Sequence, residues 1–182
     1  MRKLNAWTYV TLDGVVEAPE QWVMPDEEMF AEQAAGYAAS DALLLGRRTY
    51  EVFAAAWPQR GSEVANADWM NTTQKYVAST TLESPEWQNT TVLTGDVGEA
   101  ISRLKQEDGG TITLNGSATL LRTLLGAGLV DELRLFLHPV VLGSGGRLFD
   151  DAEDRVVLEL GDFHVYDNGV VSLTYRPTRD QG

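Results

Sequence analysis

The stretch Ala42-Leu43-Leu44-Leu45-Gly46-Arg47-Arg48-Thr49-Tyr50 decides how this chain is read. Ala42 to Leu45 is an unbroken apolar run with no polar face, as expected of a strand covered on both sides. Gly46-Arg47-Arg48-Thr49 then opens a short helix that continues through Phe53. Strand, glycine turn and helix in that order make the repeating unit of a largely parallel α/β sheet.

The flanking sequence repeats the unit. Upstream, Lys3 to Thr11 gathers Trp, Tyr, Val and Thr and is closed by Leu12-Asp13-Gly14, a strand followed by turn residues. Between the two strands, Pro25 and the acidic run Asp26-Glu27-Glu28 suit a helix start. Phe30, Ala34 and Tyr37 mark the apolar face of that helix, which ends near Ser40. Downstream, Gln74 to Ala78 and Thr90 to Leu93 are strand candidates, and Val97, Ile101 and Leu104 give 97–106 helical spacing. Thr111 to Leu114 reads as a strand, Asn115-Gly116-Ser117 as a turn, and Ala118 to Leu125 as a helix stopped by Gly126 and Gly128. Past Val130 the pattern changes. Leu133, Leu135 and Leu137 alternate, and Asp167-Asn168-Gly169 carries a hairpin signal between Phe163 to Tyr166 and Val170 to Tyr175. The expected fold is a single α/β domain over 1–176, with residues 177–182 a loose tail. Its mixed sheet should hold about eight strands, mainly parallel with an antiparallel C-terminal part and helices on both faces.

Composition narrows the function. The net charge of −13 over 182 residues repels nucleic acid and anionic lipid alike, leaving a small molecule as the natural partner. The absence of cysteine removes disulfides, thiolate nucleophiles and cysteine-type zinc sites. Met1 to Gly14 lacks the apolar core of a secretory signal and no apolar run has transmembrane length, so the expected location is the cytoplasm. His138 and His164 lie far apart on expected strands, a poor basis for a metal site or catalytic triad. Gly143-Ser144-Gly145-Gly146 lacks the full dinucleotide fingerprint and no helix follows it.

In open α/β sheets ligands lie beyond the carboxyl ends of the strands, where several loops of this chain converge. Gly46-Arg47-Arg48-Thr49 combines a helix N-terminus with planar cationic donors for phosphate, an arginine island in an acidic chain. Ser79-Thr80-Thr81 offers hydroxyls without bulk, suited to a nucleotide 2′-phosphate. Asn115-Gly116-Ser117-Ala118 sets a glycine and a hydroxyl where a pyrophosphate can meet backbone N–H groups. Leu12-Asp13-Gly14 can bring backbone against a flat ring. Each segment also reads as an ordinary turn or helix start when taken singly.

Taken in order, Thr11 to Gly14, Leu43 to Tyr50, Asn115 to Ser117, Gly128 to Leu133 and Pro139 to Gly143 are more specific than any one of them. Over nearly the whole chain the sequence resembles the dihydrofolate-reductase-like family, in the branch related to the reductase (RibD C-terminal) domain of riboflavin biosynthesis. The resemblance implies NADPH as hydride donor and often a homodimer, with a dimer face on the Leu133-Leu135-Leu137 strand and the adjoining antiparallel segment. It also implies that Gly46, Arg47, Arg48 and Thr49 meet the cofactor phosphates and Ser79 and Thr80 the 2′-phosphate. Asn115, Gly116, Ser117 and Ala118 match the pyrophosphate turn, and Leu12, Asp13 and Gly14 the turn near the nicotinamide. The zinc deaminase that precedes this domain in bifunctional enzymes has no counterpart here, since the chain holds no Pro-Cys-x-x-Cys motif. Classical dihydrofolate reductases place an acidic residue on the first helix toward the pterin. Asp26, Glu27 and Glu28 compete for that place, Glu27 being favoured by its position three residues before Phe30, while all three also suit the helix dipole.

The expected function is therefore NADPH-dependent hydride transfer to a C=N or C=O carbon of a pterin-, pyrimidine- or ribosylamine-like metabolite, similar to 5-amino-6-(5-phosphoribosylamino)uracil reduction. Asp13 and Glu27 are the catalytic candidates. The alternatives are dihydrofolate reduction and a non-catalytic NADP-binding protein.

Overall fold

The computed structural model describes residues 1–149 and 155–178. Its strands are β1 (Leu4–Thr11), β2 (Ser40–Gly46), β3 (Gln74–Ala78), β4 (Thr90–Leu93), β5 (Thr111–Asn115), β6 (Glu132–His138), β7 (Leu158–Val165) and β8 (Val171–Pro177). They form one sheet in the order β4-β3-β2-β5-β1-β6-β8-β7. β1 to β6 pair parallel wherever they are neighbours, and the β6–β8 and β8–β7 pairs are antiparallel. The α-helices among the described residues are α1 (Glu27–Ala38), α2 (Arg47–Ala56), α3 (Ala67–Thr72), α4 (Val97–Gln106) and α5 (Ala118–Gly126).

Strand order and crossover handedness place the helices. From β1 through β2 and β3 to β4 the chain steps outward in one direction. It then returns to insert β5 between β2 and β1 and crosses β1 to reach β6. Because parallel crossovers are right-handed, reversing direction moves the connecting helices to the other face of the sheet. The buried clusters agree. Ala42, Leu44, Ile112 and Leu114 pack with Ile101, Leu104, Leu121 and Leu124 of α4 and α5, while Leu43 and Leu45 pack with Met29, Tyr37, Tyr50 and Met70 of α1 to α3. The uninterrupted run of β2 thus feeds two cores, alternate residues going to each.

In detail the elements depart from expectation at particular residues. The buried face of α1 is Met29, Gln33 and Tyr37, while Phe30 stays 41% exposed, so the inward stripe is shifted by one residue at its N-terminal end. Asp26 is the N-cap, accepting from the Met29 N–H at 2.9 Å, and α1 ends before Ser40, which already belongs to β2. The Leu133-Leu135-Leu137 strand is not a sheet edge: β6 lies between β1 and β8, with Leu133 fully buried and Leu135 and Leu137 half-buried. One edge of the sheet is β7, which starts five residues earlier than the hairpin pattern suggests because Glu159, Gly161 and Asp162 break its alternation at a register shift. At the C-terminus, Pro177 pairs with Leu158 and the Thr178 N–H donates to the Val157 carbonyl at 2.9 Å. The rest of the expected tail, 179–182, lies outside the described residues.

Candidate active site

β2 and β5 are neighbours, and both run into helices at their carboxyl ends, so the N-termini of α2 and α5 arrive side by side. Ser117 ties them together. Its hydroxyl accepts from the Gly46 N–H at 2.8 Å and donates to Thr49 Oγ1 at 2.8 Å. A Cβ on Gly46 would fall 3.0 Å from Ser117 Oγ, so glycine keeps that junction tight. Gly116 has φ +60 and Ser117 φ 49, successive left-handed residues that turn the chain from β5 into α5.

The helix ends differ in a way that matters for ligands. A helix leaves its first N–H groups without intrahelical partners, and a polar side chain normally caps them. Asp26 caps α1 and Asp96 caps α4, the latter accepting from the Glu99 N–H at 2.8 Å. Neither α2 nor α5 has a side-chain cap, and both open onto the same cleft. Two uncapped helix N-termini side by side direct unpaired N–H groups and positive dipole ends at the cleft, an arrangement that suits an anionic group.

The cleft has a volume of about 950 Å³, near the upper end of the usual range for small-molecule sites. Of the sequence candidates, Gly46, Arg47, Arg48, Thr49, Asn115, Gly116, Ser117 and Ala118 all line it. Arg47 is turned along α2, its Nε 2.7 Å from Glu51 and its Nη1 bonded to the Thr81 hydroxyl. Among the described residues, neither Arg48 nor Arg147 has a side-chain partner. Arg122 of α5 also lines the cleft and donates to the Arg147 and Leu148 carbonyls at 3.2 Å.

Ser79 and Thr80 stand just past the cleft wall, which ends at Ala78. Ser79 Oγ accepts from the Thr81 and Leu82 N–H groups at 3.2 and 3.0 Å, folding a turn whose Thr81 reaches Arg47. Leu12, Asp13 and Gly14 are not in the wall either. Asp13 accepts from Thr11 Oγ1 at 2.6 Å and from the Gly143 N–H at 2.8 Å, a clasp between the loops after β1 and β6. The Thr11 hydroxyl first, and then the Gly143 N–H, pull its carboxyl down to about 2, so at neutral pH Asp13 is an ionised acceptor. Glu27 is exposed in the first turn of α1, away from the cleft.

The other end of the cleft was not marked by the sequence. Trp7, Thr8 and Tyr9 of β1, Phe136 of β6 and Gln33 of α1 build its wall. Tyr9 donates to Gln33 Oε1 at 2.8 Å, and burial raises the Tyr9 hydroxyl's pKa, keeping it protonated. The segment Val16 to Glu20 closes one side, held by a Val16 N–H bond to the Gly146 carbonyl and by Glu17 Oε2 accepting from the Gly146 N–H, both 2.9 Å. The same pairing carries Arg147 to the cleft, opposite Val15. The signal available in the sequence was a glutamine in the α1 stripe that continues to Tyr37. Arg147 had none, being placed by tertiary pairing.

The fold and the cleft together point to relatives. The RibD C-terminal domain model matches residues 2–172. An uncharacterized protein of Bacillus subtilis strain 168, YyaP, is 33% identical over 177 residues, covering 91% of this chain and 90% of that one. A putative riboflavin biosynthesis protein from Shewanella sp. PV-4 superposes with a TM-score of 0.79 at 19% identity, covering 97% of this chain and 99% of that one. Dihydrofolate reductase from Enterococcus faecalis, complexed with NADP(H) and RAB-propyl, superposes with a TM-score of 0.60 at 16% identity, covering 97% of each chain. The fold is dihydrofolate-reductase-like, and the chain belongs to the RibD C-terminal domain family.

Proposed function

We propose that the protein is an NADPH-dependent reductase of a small pterin-, pyrimidine- or ribosylamine-like heterocycle. The observation that carries this reading is the pair of uncapped helix N-termini opening, beside arginines, onto a cleft that continues into an aromatic compartment. The residues present fit a dinucleotide phosphate. The backbone N–H groups at the starts of α2 and α5 would take the pyrophosphate, and a Cβ at Gly116 would sit 3.5 Å from Thr49, on the cradle. Arg47 and Arg48 would neutralise phosphate charge, with Ser79, Thr80 and Thr81 on the 2′-phosphate side. Leu12 and Gly14 belong to the loop that would border the nicotinamide.

The cofactor supplies a hydride, and the chain's own residues supply alignment and exclusion of water. Trp7, Tyr9 and Phe136 would hold the acceptor ring, and Val16 to Glu20 would cover it. For the proton, the geometry favours Glu17 and Glu20, the carboxylates in the wall, over the clasped Asp13 and the exposed Glu27. A cofactor-binding protein without chemistry is the second reading. What favours it is that the α1 residue in the wall is the neutral Gln33.

A homodimer completes the proposal, formed through the β7 edge where Leu160, Phe163 and Val165 are about half exposed or more (48%, 62% and 58%). A cytoplasmic location is part of the same reading, and among the described residues no helix is long and apolar enough to cross a membrane. The test is NADPH oxidation against a panel of oxidised pteridines, pyrimidines and ribosylamines. Turnover of at least one supports the reductase; tight cofactor binding with no turnover across the panel supports the binder.

A further inference from the structure

The aromatic end of the cleft contains polar side chains that are mostly satisfied internally. Thr8 Oγ1 donates to the Tyr9 carbonyl at 3.1 Å, and Asn115 Nδ2 donates to the Tyr37 hydroxyl. Gln33 is one of two exceptions. It is only 9% exposed and lies in the cleft wall, and its Oε1 is taken by the Tyr9 hydroxyl, yet its Nε2 has no partner. Trp7 Nε1, in the same wall, is a second donor without a partner. Buried donors are almost always paired, and leaving one unpaired is costly.

Tyr9 decides which end of the Gln33 amide is free. A phenol hydroxyl donating to Oε1 leaves the NH₂ as the remaining group; it is enclosed just behind the wall and meets a ring only when the side chains covering it give way, so α1 contributes a donor and no competing acceptor. Among α1 carboxylates, Glu32 is engaged by Arg134 at 2.5 Å and by the Tyr166 hydroxyl, and Glu28 lies 3.2 Å from His164. Neither lines the cleft.

We propose that Gln33, oriented by Tyr9, is the specificity-determining residue for the acceptor. It donates its free amide N–H to a ring carbonyl or unprotonated ring nitrogen and rejects rings that present an amino group there. This rests on the reductase reading for the identity of the ligand as a reducible heterocycle. An oxo group meets the free N–H as an acceptor, whereas an amino group sets donor against donor and leaves both unsatisfied.

The experiment compares pterin, which carries an oxo group at one ring position, with 2,4-diaminopteridine, which carries an amino group there. Each is titrated by fluorescence with and without NADP, into wild type, Gln33→Glu and Gln33→Leu. Wild type should prefer pterin by ~10-fold, the size expected for one hydrogen bond gained against one donor stranded. Gln33→Glu should reverse the preference, because a carboxylate accepts where the amide donates. Gln33→Leu should abolish it without placing a charge in the wall. Cofactor affinity should be unchanged in both variants, since Gln33 belongs to the aromatic end. The inference is overturned if wild type binds both rings equally or neither, or if either variant keeps the wild-type preference. A wild type that binds no NADP but still shows the preference would overturn the reductase reading and leave the Gln33 assignment standing.

Discussion

Replacing Gly36 by alanine sets two physical effects against each other, and the structure decides the sign. Gly36 lies inside α1, where alanine is the better helix former by ~1 kcal/mol. A Cβ at that position, however, would fall 2.0 Å from Trp7 Cη2 and 2.6 Å from Cζ2. Carbon atoms need roughly 3.5 Å or more, so the indole would have to retreat by about 1.5 Å. Retreat is hindered on its packed sides, leaving only the cleft side open. Trp7 is 7% exposed, with the Tyr37 ring 5.1 Å away and the Arg134 guanidinium 5.7 Å from its own ring. Overpacking of this kind costs about 3 kcal/mol at the upper end, which outweighs the propensity gain and leaves a net loss of about 2 kcal/mol. For a domain of this size that lowers Tm by roughly 4–8 °C, measurable by circular dichroism. Because Trp7 walls the aromatic end of the cleft, heterocycle binding should weaken while NADPH binding changes little. A Gly36→Ala protein as stable as wild type or more so would refute the packing of Trp7 beneath α1.

The other perturbations reach different parts of the account. Gly116→Val forces a β-branched residue to φ +60 and places its side chain over the cradle, so stability should fall by ~1–2 kcal/mol and NADPH affinity by ~10-fold or more in titration. Asp96→Ala removes the cap of α4 and should cost ~1 kcal/mol in urea unfolding with cofactor affinity intact, because α4's capped end belongs to the fold and not to the cradle. Lys75 is buried against the Thr73 and Gln88 carbonyls at 2.8 and 3.0 Å, and desolvation pulls its ammonium down to about 8. Between that value and the ordinary one only the unfolded chain holds the proton, so stability should rise between pH 8 and 10 by at most ~1.4 kcal/mol per pH unit, and the rise should vanish in Lys75→Met.

The elements legible in the sequence were those whose local pattern and tertiary surroundings agree. The apolar run of β2, the spacing of Val97, Ile101 and Leu104, and the turns at Gly116 and Gly169 each state locally what the fold requires. α1 was read with its stripe displaced because Phe30 is the larger apolar residue, whereas the core takes Met29 and closes over the amide of Gln33. The same displacement sets Glu27, not Gln33, beside the apparent inner face. α3 is six residues long and carries Asp68, Asn71 and Thr72, too short and too polar for a helical period to show. β7 is an edge with little burial to enforce alternation. At the site, the two strand-to-helix junctions at Gly46 and Gly116 were legible because glycine and hydroxyl residues at strand ends are local signals. The aromatic wall and Arg147 were not, because they come together only when β1, β6 and the two clasped loops are assembled.

The most direct test of the central claim is a pair of fluorescence titrations of the wild-type protein, one with NADPH and one with NADH, repeated on Arg47→Ala. Two uncapped helix ends beside Arg47, Arg48 and Thr81 predict that NADPH binds more tightly than NADH by ~10-fold or more, as a charge-assisted contact to one extra phosphate should give. Arg47→Ala should remove most of that difference. Equal dissociation constants for the two cofactors, or no binding of either, would contradict the account.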